Sequence, residues 1–244
     1  WYFLKNKMMD MQNQAMGYDR AATMFSPEGH LLQVEYAEKT IRLGSASVGI
    51  RCSDGVFILA DKRIKDKLIV NESASKIYEV DSHVFSSFAG IMSDARVLIE
   101  KVQVLAQQHK MTYDSNIEPE LVIKEVANTK QQFTQYGGAR PYGVSLMVAG
   151  LNDDKPELYT SDVTGNYFSY HANAIGENDE KIKEKLREKF KETLDLKKGI
   201  KLALEIFEEI KEDKFDIEGF ELIYIKIGKE LERLEGKKIQ EFIK

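Results

Sequence analysis

Apolar positions recur along the chain with two different periods, and the switches between them set out an ordered series of elements. Leu31, Val34 and Ala37 lie at helical spacing behind Ser26-Pro27-Glu28-Gly29. There a capping serine, a proline with φ preset for the first helical position and an acidic side chain predict a helix start. That helix is expected to run to Leu43, with Gly44 ending it. Two apolar runs, 46–51 and 56–60, flank Ser53-Asp54-Gly55, which is a hairpin signal. The second run does not alternate, so both of its faces are expected to be buried. A further hairpin is predicted over 77–80 and 84–89, bending at Asp81-Ser82-His83.

Two amphipathic helices follow. Ala95, Leu98, Val102, Leu105 and Ala106 mark one face of the first, and Asn116-Ile117-Glu118-Pro119 opens the second, which carries Leu121, Val122, Val126 and Phe133. Tyr136-Gly137-Gly138 stops it. Strands are predicted over 144–149, 157–161, 167–170 and 172–175. Ile182, Leu186, Phe190 and Leu194 then stripe one helix, and Ile200, Ala203, Leu204, Phe207 and Ile210 another. A strand over 220–227 and a short charged helix near Phe242 close the series. Strands cluster and helices come in pairs, which is not the alternation of a parallel sheet. Strands buried on both faces need cover on each side. The economical arrangement is two stacked antiparallel sheets with a helix pair outside each, an α+β fold of four layers in one domain.

Composition narrows the function classes. The 244 residues hold 35 Lys+Arg against 40 Asp+Glu, a net charge of −5, with 43% hydrophobic and 31% charged residues. A chain of this kind folds around a full core, and its mild acidity argues against a nucleic-acid partner. No apolar run approaches the roughly 20 residues of a membrane span. One cysteine, Cys52, excludes a disulfide framework and fits a reducing, cytoplasmic setting as a packing residue. His30, His83, His109 and His171 are scattered without metal-ligand spacing, so surface or capping roles are expected of them. The charged run 177–192 reads as a solvated helix face. Residues 1–17 show no clean period and are expected to form a mobile tail, in part extraneous, with Met8, Met9 and Met11 as candidate starts.

Tyr18-Asp19-Arg20 followed by FSPEGHLLQVEYA over 25–37 resembles the N-terminal signature of archaeal-type proteasome α-subunits, within the threonine-peptidase family of the proteasome. Further stretches agree in order: Gly44-Ser45 before the first strand and Ala60-Asp61-Lys62-Arg63 ending the second. Phe88-Ala89-Gly90 comes before Asp94-Ala95-Arg96, and Gly137-Gly138-Ala139-Arg140-Pro141-Tyr142-Gly143 matches a second signature. The resemblance implies a four-layer αββα sandwich of the N-terminal-nucleophile hydrolase type with an extra N-terminal helix, as a single domain over 18–244.

Active β-subunits of that family use a threonine exposed at the mature N-terminus, whose α-amine is the base while a lysine lowers the nucleophile's pKa. The matching position here is Ser45. Its nitrogen is a mid-chain amide, and the segment matching that lysine is expected near Asn71-Glu72, where Glu72 would repel rather than stabilise an alkoxide. Asp61 matches the active-site aspartate, though an aspartate ending a strand is as often a structural acceptor. The resemblance therefore implies no catalytic residue, cofactor or metal. The competing reading is a self-processing amidohydrolase with Ser45 as nucleophile; a degenerate binding module is a third.

The resemblance further implies a heptameric α-ring stacked on β-subunits, with unfolded protein substrates entering an axial pore. Tyr18, Asp19, Arg20, Pro27 and Tyr36 match the residues that hold the gating tail. Lys76, with Gly44 and Ile91, matches the pocket between α-subunits that receives the C-terminal carboxylate of an activating ATPase. Neither nucleic acid nor membrane is an implied partner.

Overall fold

In the computed structural model the described residues are 17, 21–63 and 68–244, with the side chains of Asn71 and Glu72 set aside. Helix α1 (Leu32–Leu43) leads into a hairpin of β1 (Ser47–Cys52) and β2 (Gly55–Asp61). A second hairpin pairs β3 (Ile77–Asp81) with β4 (Val84–Gly90). Helices α2 (Met92–Tyr113) and α3 (Pro119–Phe133) precede β5 (Val144–Asn152), β6 (Lys155–Ser161), β7 (Tyr167–Ser169) and β8 (Ala172–Ile175). Helices α4 (Asp179–Lys189) and α5 (Leu196–Lys211), strands β9 (Phe220–Lys226) and β10 (Leu231–Glu235), and helix α6 (Lys237–Ile243) complete the chain.

The strands form two five-stranded antiparallel sheets, ordered β10-β9-β2-β1-β8 and β3-β4-β5-β6-β7. Three apolar clusters explain the stack. Val56, Ile58 and Ala60 of β2 meet Phe85, Ala89, Met147 and Ala149 between the sheets. The alternate residues Phe57 and Leu59 turn outward to Ile182, Ile200, Ala203 and Phe207 of α4 and α5. On the far side Val84, Phe88, Leu146 and Val148 pack against α2 and α3. The non-alternating run of β2 thus serves two cores at once, and the expected four-layer αββα sandwich with its added N-terminal helix is the fold observed.

The structure corrects several details. The first helix begins at Leu32, not at Ser26, and has no side-chain cap. Ser26-Pro27-Glu28-Gly29 is a tight turn: Gly29 N donates to Ser26 O at 2.8 Å, and Gly29 adopts φ +84°, a left-handed backbone no helix contains. Ser26 Oγ accepts from His30 N at 3.2 Å, so it caps the turn. Helix α4 ends at Lys189; Phe190, in extended chain, and Leu194, whose N donates to Lys191 O across a turn, still pack on the same core. Strand β10 is one the hydrophobic pattern did not show. His83 is buried rather than at the surface, with Nε2 2.7 Å from Ile117 O.

Candidate functional site

Three chain segments meet at one end of the sandwich. Gly44 closes α1 and leads through Ser45 into β1; Lys76 opens β3; Gly90 and Ile91 join β4 to α2. Gly44 adopts an ordinary extended backbone (φ −69°), so its glycine answers to space. A Cβ there would stand 2.4 Å from Gly90 N. Ile91 N donates to Gly143 O at 3.0 Å, which ties the same corner to β5.

Lys76 is 4% exposed. Its Nζ donates to Ser45 O at 2.6 Å and to Ser45 Oγ at 2.7 Å, and it lies 5.2 Å from the centre of the Phe88 ring. Burial drives its pKa down to about 7; Asp61 opposes that, Arg63 adds to it and Glu221 opposes it. Among the described residues Lys76 has no ion-pair partner, and two of its three ammonium protons are engaged.

The lysine beside Ser45 is therefore Lys76, and not a residue near Asn71-Glu72 as the sequence suggested. The segment between β2 and β3 has no hydrophobic period to hold an alignment in place, whereas the start of β3 does. Ser45 itself is held in continuous chain: Glu177 N donates to Gly44 O at 2.8 Å, immediately ahead of it. Asp61 is committed elsewhere, accepting from Lys211 Nζ at 2.6 Å and Arg63 N at 3.2 Å.

Of the five residues expected at the gate, Tyr18, Asp19 and Arg20 lie outside the described residues, as does the tail over 1–17 apart from Gly17. Pro27 is exposed in its turn, and Tyr36 is half-buried on α1 with Lys39 Nζ 5.2 Å from its ring centre. The two signature stretches do converge. Ala21, Ala22, Thr23 and Gln33 line a cleft of about 340 Å³ with Gly137, Gly138, Ala139 and Arg140. Arg140 grips Asp94 with two hydrogen bonds, 2.6 and 2.7 Å, and Gly143 N donates to the same carboxylate at 2.9 Å.

Sequence reasoning missed three polar groups. Lys130 is fully buried on α3, Glu221 is fully buried on β9, and Arg233 extends from β10. The available signal was a lone carboxylate inside the apolar run Phe220-Glu221-Leu222-Ile223, since an isolated charge on a doubly covered strand must have built-in partners. Cys52 is buried as expected, and burial pushes its thiol up to about 12. Among the described residues no group of His, Cys, Asp or Glu is arranged to hold a metal ion, and no helix is long and apolar enough to cross a membrane.

Comparison with known proteins agrees with this geometry. The family profile of proteasome subunits matches residues 41–225, and the N-terminal signature of the proteasome's A-type subunits matches residues 18–39. The chain is 37% identical over 229 residues to the proteasome α-subunit of Methanosarcina thermophila, covering 93% of each chain. It is 40% identical over 212 residues to that of Archaeoglobus fulgidus, covering 87% of this chain and 86% of the other. With that of Pyrococcus abyssi it shares 39% over 228 residues, 93% of this chain and 87% of the relative. With both signatures folded against each other and likeness of this extent over most of its length, the chain belongs to the proteasome family as one of its α-subunits.

Proposed function

We propose that this chain is a non-catalytic subunit of the proteasome core particle. It builds the outer heptameric ring, gates entry to a chamber formed with β-subunits, and docks an activating ATPase through its C-terminal carboxylate in the cytoplasm. One observation carries the reading: Ser45 occupies the nucleophile's place but carries an amide nitrogen behind Gly44 and α1, so the free amine that serves as base in this chemistry is missing. Lys76, the lysine beside Ser45, is buried and has no ion-pair partner among the described residues, at the corner where Gly44 meets the end of β4. An incoming terminal carboxylate supplies that partner, and Lys76 meets it as a point charge. The N-terminal tail over residues 1–17 acts as the gate, with Tyr18, Asp19, Arg20, Pro27 and Tyr36 holding its open arrangement.

The 2.7 Å contact between Lys76 Nζ and Ser45 Oγ favours a second reading, a self-processing amidohydrolase in which Ser45 is the nucleophile. Intact mass spectrometry separates the two, because the second requires loss of everything through Gly44. The gate is tested by deleting residues 1–20 in a reconstituted particle with a β-subunit. Peptide hydrolysis without ATPase is expected to rise, and an unchanged rate removes the gate assignment.

A further inference from the structure

We propose that Glu221 and Arg233 position Lys76, so that one sheet sets the place of the docking lysine carried by the other; this rests on the reading of Lys76 as the residue that meets the ATPase carboxylate.

Glu221 sits on β9 and Arg233 on β10, whereas Lys76 immediately precedes β3 of the opposite sheet. Glu221 Oε1 accepts from Lys76 N and from Ile77 N, each at 2.5 Å. Its Oε2 lies 3.0 Å from Ser75 Oγ and 3.4 Å from Arg233 Nη1. Arg233 closes the ring: Nη1 donates to Ser75 Oγ at 2.8 Å and Nη2 to Ile77 O at 2.9 Å. Residues 75–77 are thus held on both sides by side chains of the other sheet. The groups around Glu221 are all donors, the set an ionised carboxylate requires. Burial raises the Glu221 carboxyl above the ordinary range, with the Lys76 amide, Ser75 hydroxyl and Arg233 opposing it.

Lysine has a four-carbon stem and many rotamers, and its ammonium is placed only if its backbone is. Here the backbone end is pinned by Glu221 and the amine by Ser45, which leaves the side chain one span to bridge. A buried carboxylate adds little stability over a well-packed apolar residue, so the part left to Glu221 is to fix geometry. The edge strand β10 contributes in the same way: Arg233 reaches across from a strand paired on one side only.

The test uses the assembled α/β particle and a short fluorescent peptide from the ATPase C-terminus, beside the same peptide amidated at its end. Arg233→Ala and Glu221→Gln are expected to weaken binding of the free-carboxylate peptide about tenfold, the scale of one hydrogen bond to a charged group. Arg233→Lys should recover part of the loss, and ring assembly should be unchanged. In a Lys76→Arg background, where the cation is kept but displaced, Arg233→Ala should have a much smaller effect. If Lys76→Ala binds as well as wild type, the docking reading fails and the proposal goes with it. If Lys76→Ala loses binding while Glu221→Gln and Arg233→Ala do not, docking stands and positioning is refuted. Equal losses in the wild-type and Lys76→Arg backgrounds, or losses that track disassembly of the ring, refute it as well.

Discussion

Lys76 Nζ lies 2.7 Å from Ser45 Oγ and 2.6 Å from Ser45 O, so one buried amine ties the start of β3 to the chain just beyond α1. Its folded pKa, driven by burial to about 7, is far below the ordinary lysine value of 10.5. Between those two values the unfolded chain binds more protons than the folded one, so the lysine makes stability rise with pH across that window. Docking runs the other way. A carboxylate is met by the ammonium, so tail binding should fall as pH rises above 7, by at most about tenfold per unit. Fluorescence titration between pH 6 and 9 reads this directly. Lys76→Arg, whose guanidinium stays charged, should flatten the profile.

Lys130 is another buried amine whose pKa burial lowers. Its Nζ donates to Ser161 Oγ at 2.8 Å and Asp162 O at 3.1 Å, and burial lowers its pKa to about 7 with Asp162 opposing. The same sign applies: stability gained on raising pH from 7 toward 10.5, worth up to about 1.4 kcal/mol per unit for each such lysine. Thermal melts of wild type should therefore rise between pH 7 and about 8.5, below the range in which the raised Cys52 thiol acts in the opposite sense. In Lys130→Met that rise should shrink by roughly half, Lys76 supplying the remainder. A melting curve whose pH slope is unaltered by the substitution contradicts the assignment.

Gly44→Ala places a methyl 2.4 Å from Gly90 N and 3.2 Å from Ala89 C, both backbone atoms that cannot swing aside. Its φ of −69° suits alanine, so the whole penalty is steric. A loss of about 1–3 kcal/mol is expected, typical of overpacking. Because the displaced backbone leads to Ile91, binding of the tail peptide should weaken along with the melting temperature. Gly137→Ala, with open space around it, is the control and should leave both unchanged.

How much of this was legible in the residues varies with the range of the interaction. Strand β2 declared its double burial through Val56-Phe57-Ile58-Leu59-Ala60, because a run without alternation has no face to give to water. Strand β10 stayed hidden for the opposite reason. Leu231 and Leu234 are three apart, with Glu232, Arg233 and Glu235 between and after them, a helix-like spacing on a half-exposed edge that only pairing with β9 makes a strand. The start of α1 was ambiguous locally, since Ser26-Pro27-Glu28-Gly29 satisfies both a helix cap and a turn, and Gly29 decides for the turn. Lys76 and Ser45 are 31 residues apart, and nothing in either neighbourhood announces their contact. The signature residues showed where the site lies, while its wiring through Glu221 and Arg233 required the two sheets to be stacked.

Asp94 and Arg140 give the last prediction, because they join two of the signature stretches. Burial pushes the Asp94 carboxyl up, but the Arg140 hydrogen bonds and the Gly143 amide outweigh it and hold the group below the ordinary carboxylate range. A carboxylate lowered on folding adds stability that is present above its unfolded pKa, near 3.9, and lost as pH falls through the lower folded value. Acid unfolding of Asp94→Asn should accordingly begin from a lower baseline and depend less on pH below about 4. Arg140→Ala leaves a largely buried carboxylate with the Gly143 amide as its remaining hydrogen-bond donor, a loss of about 2–3 kcal/mol at neutral pH by denaturant titration. The double variant should recover more than half of the summed losses, since each partner's cost is mostly the other left unmatched. Additive losses would mean that the two groups stabilise the α2 and β5 ends separately, and that the signatures are joined by the Gly143 backbone alone.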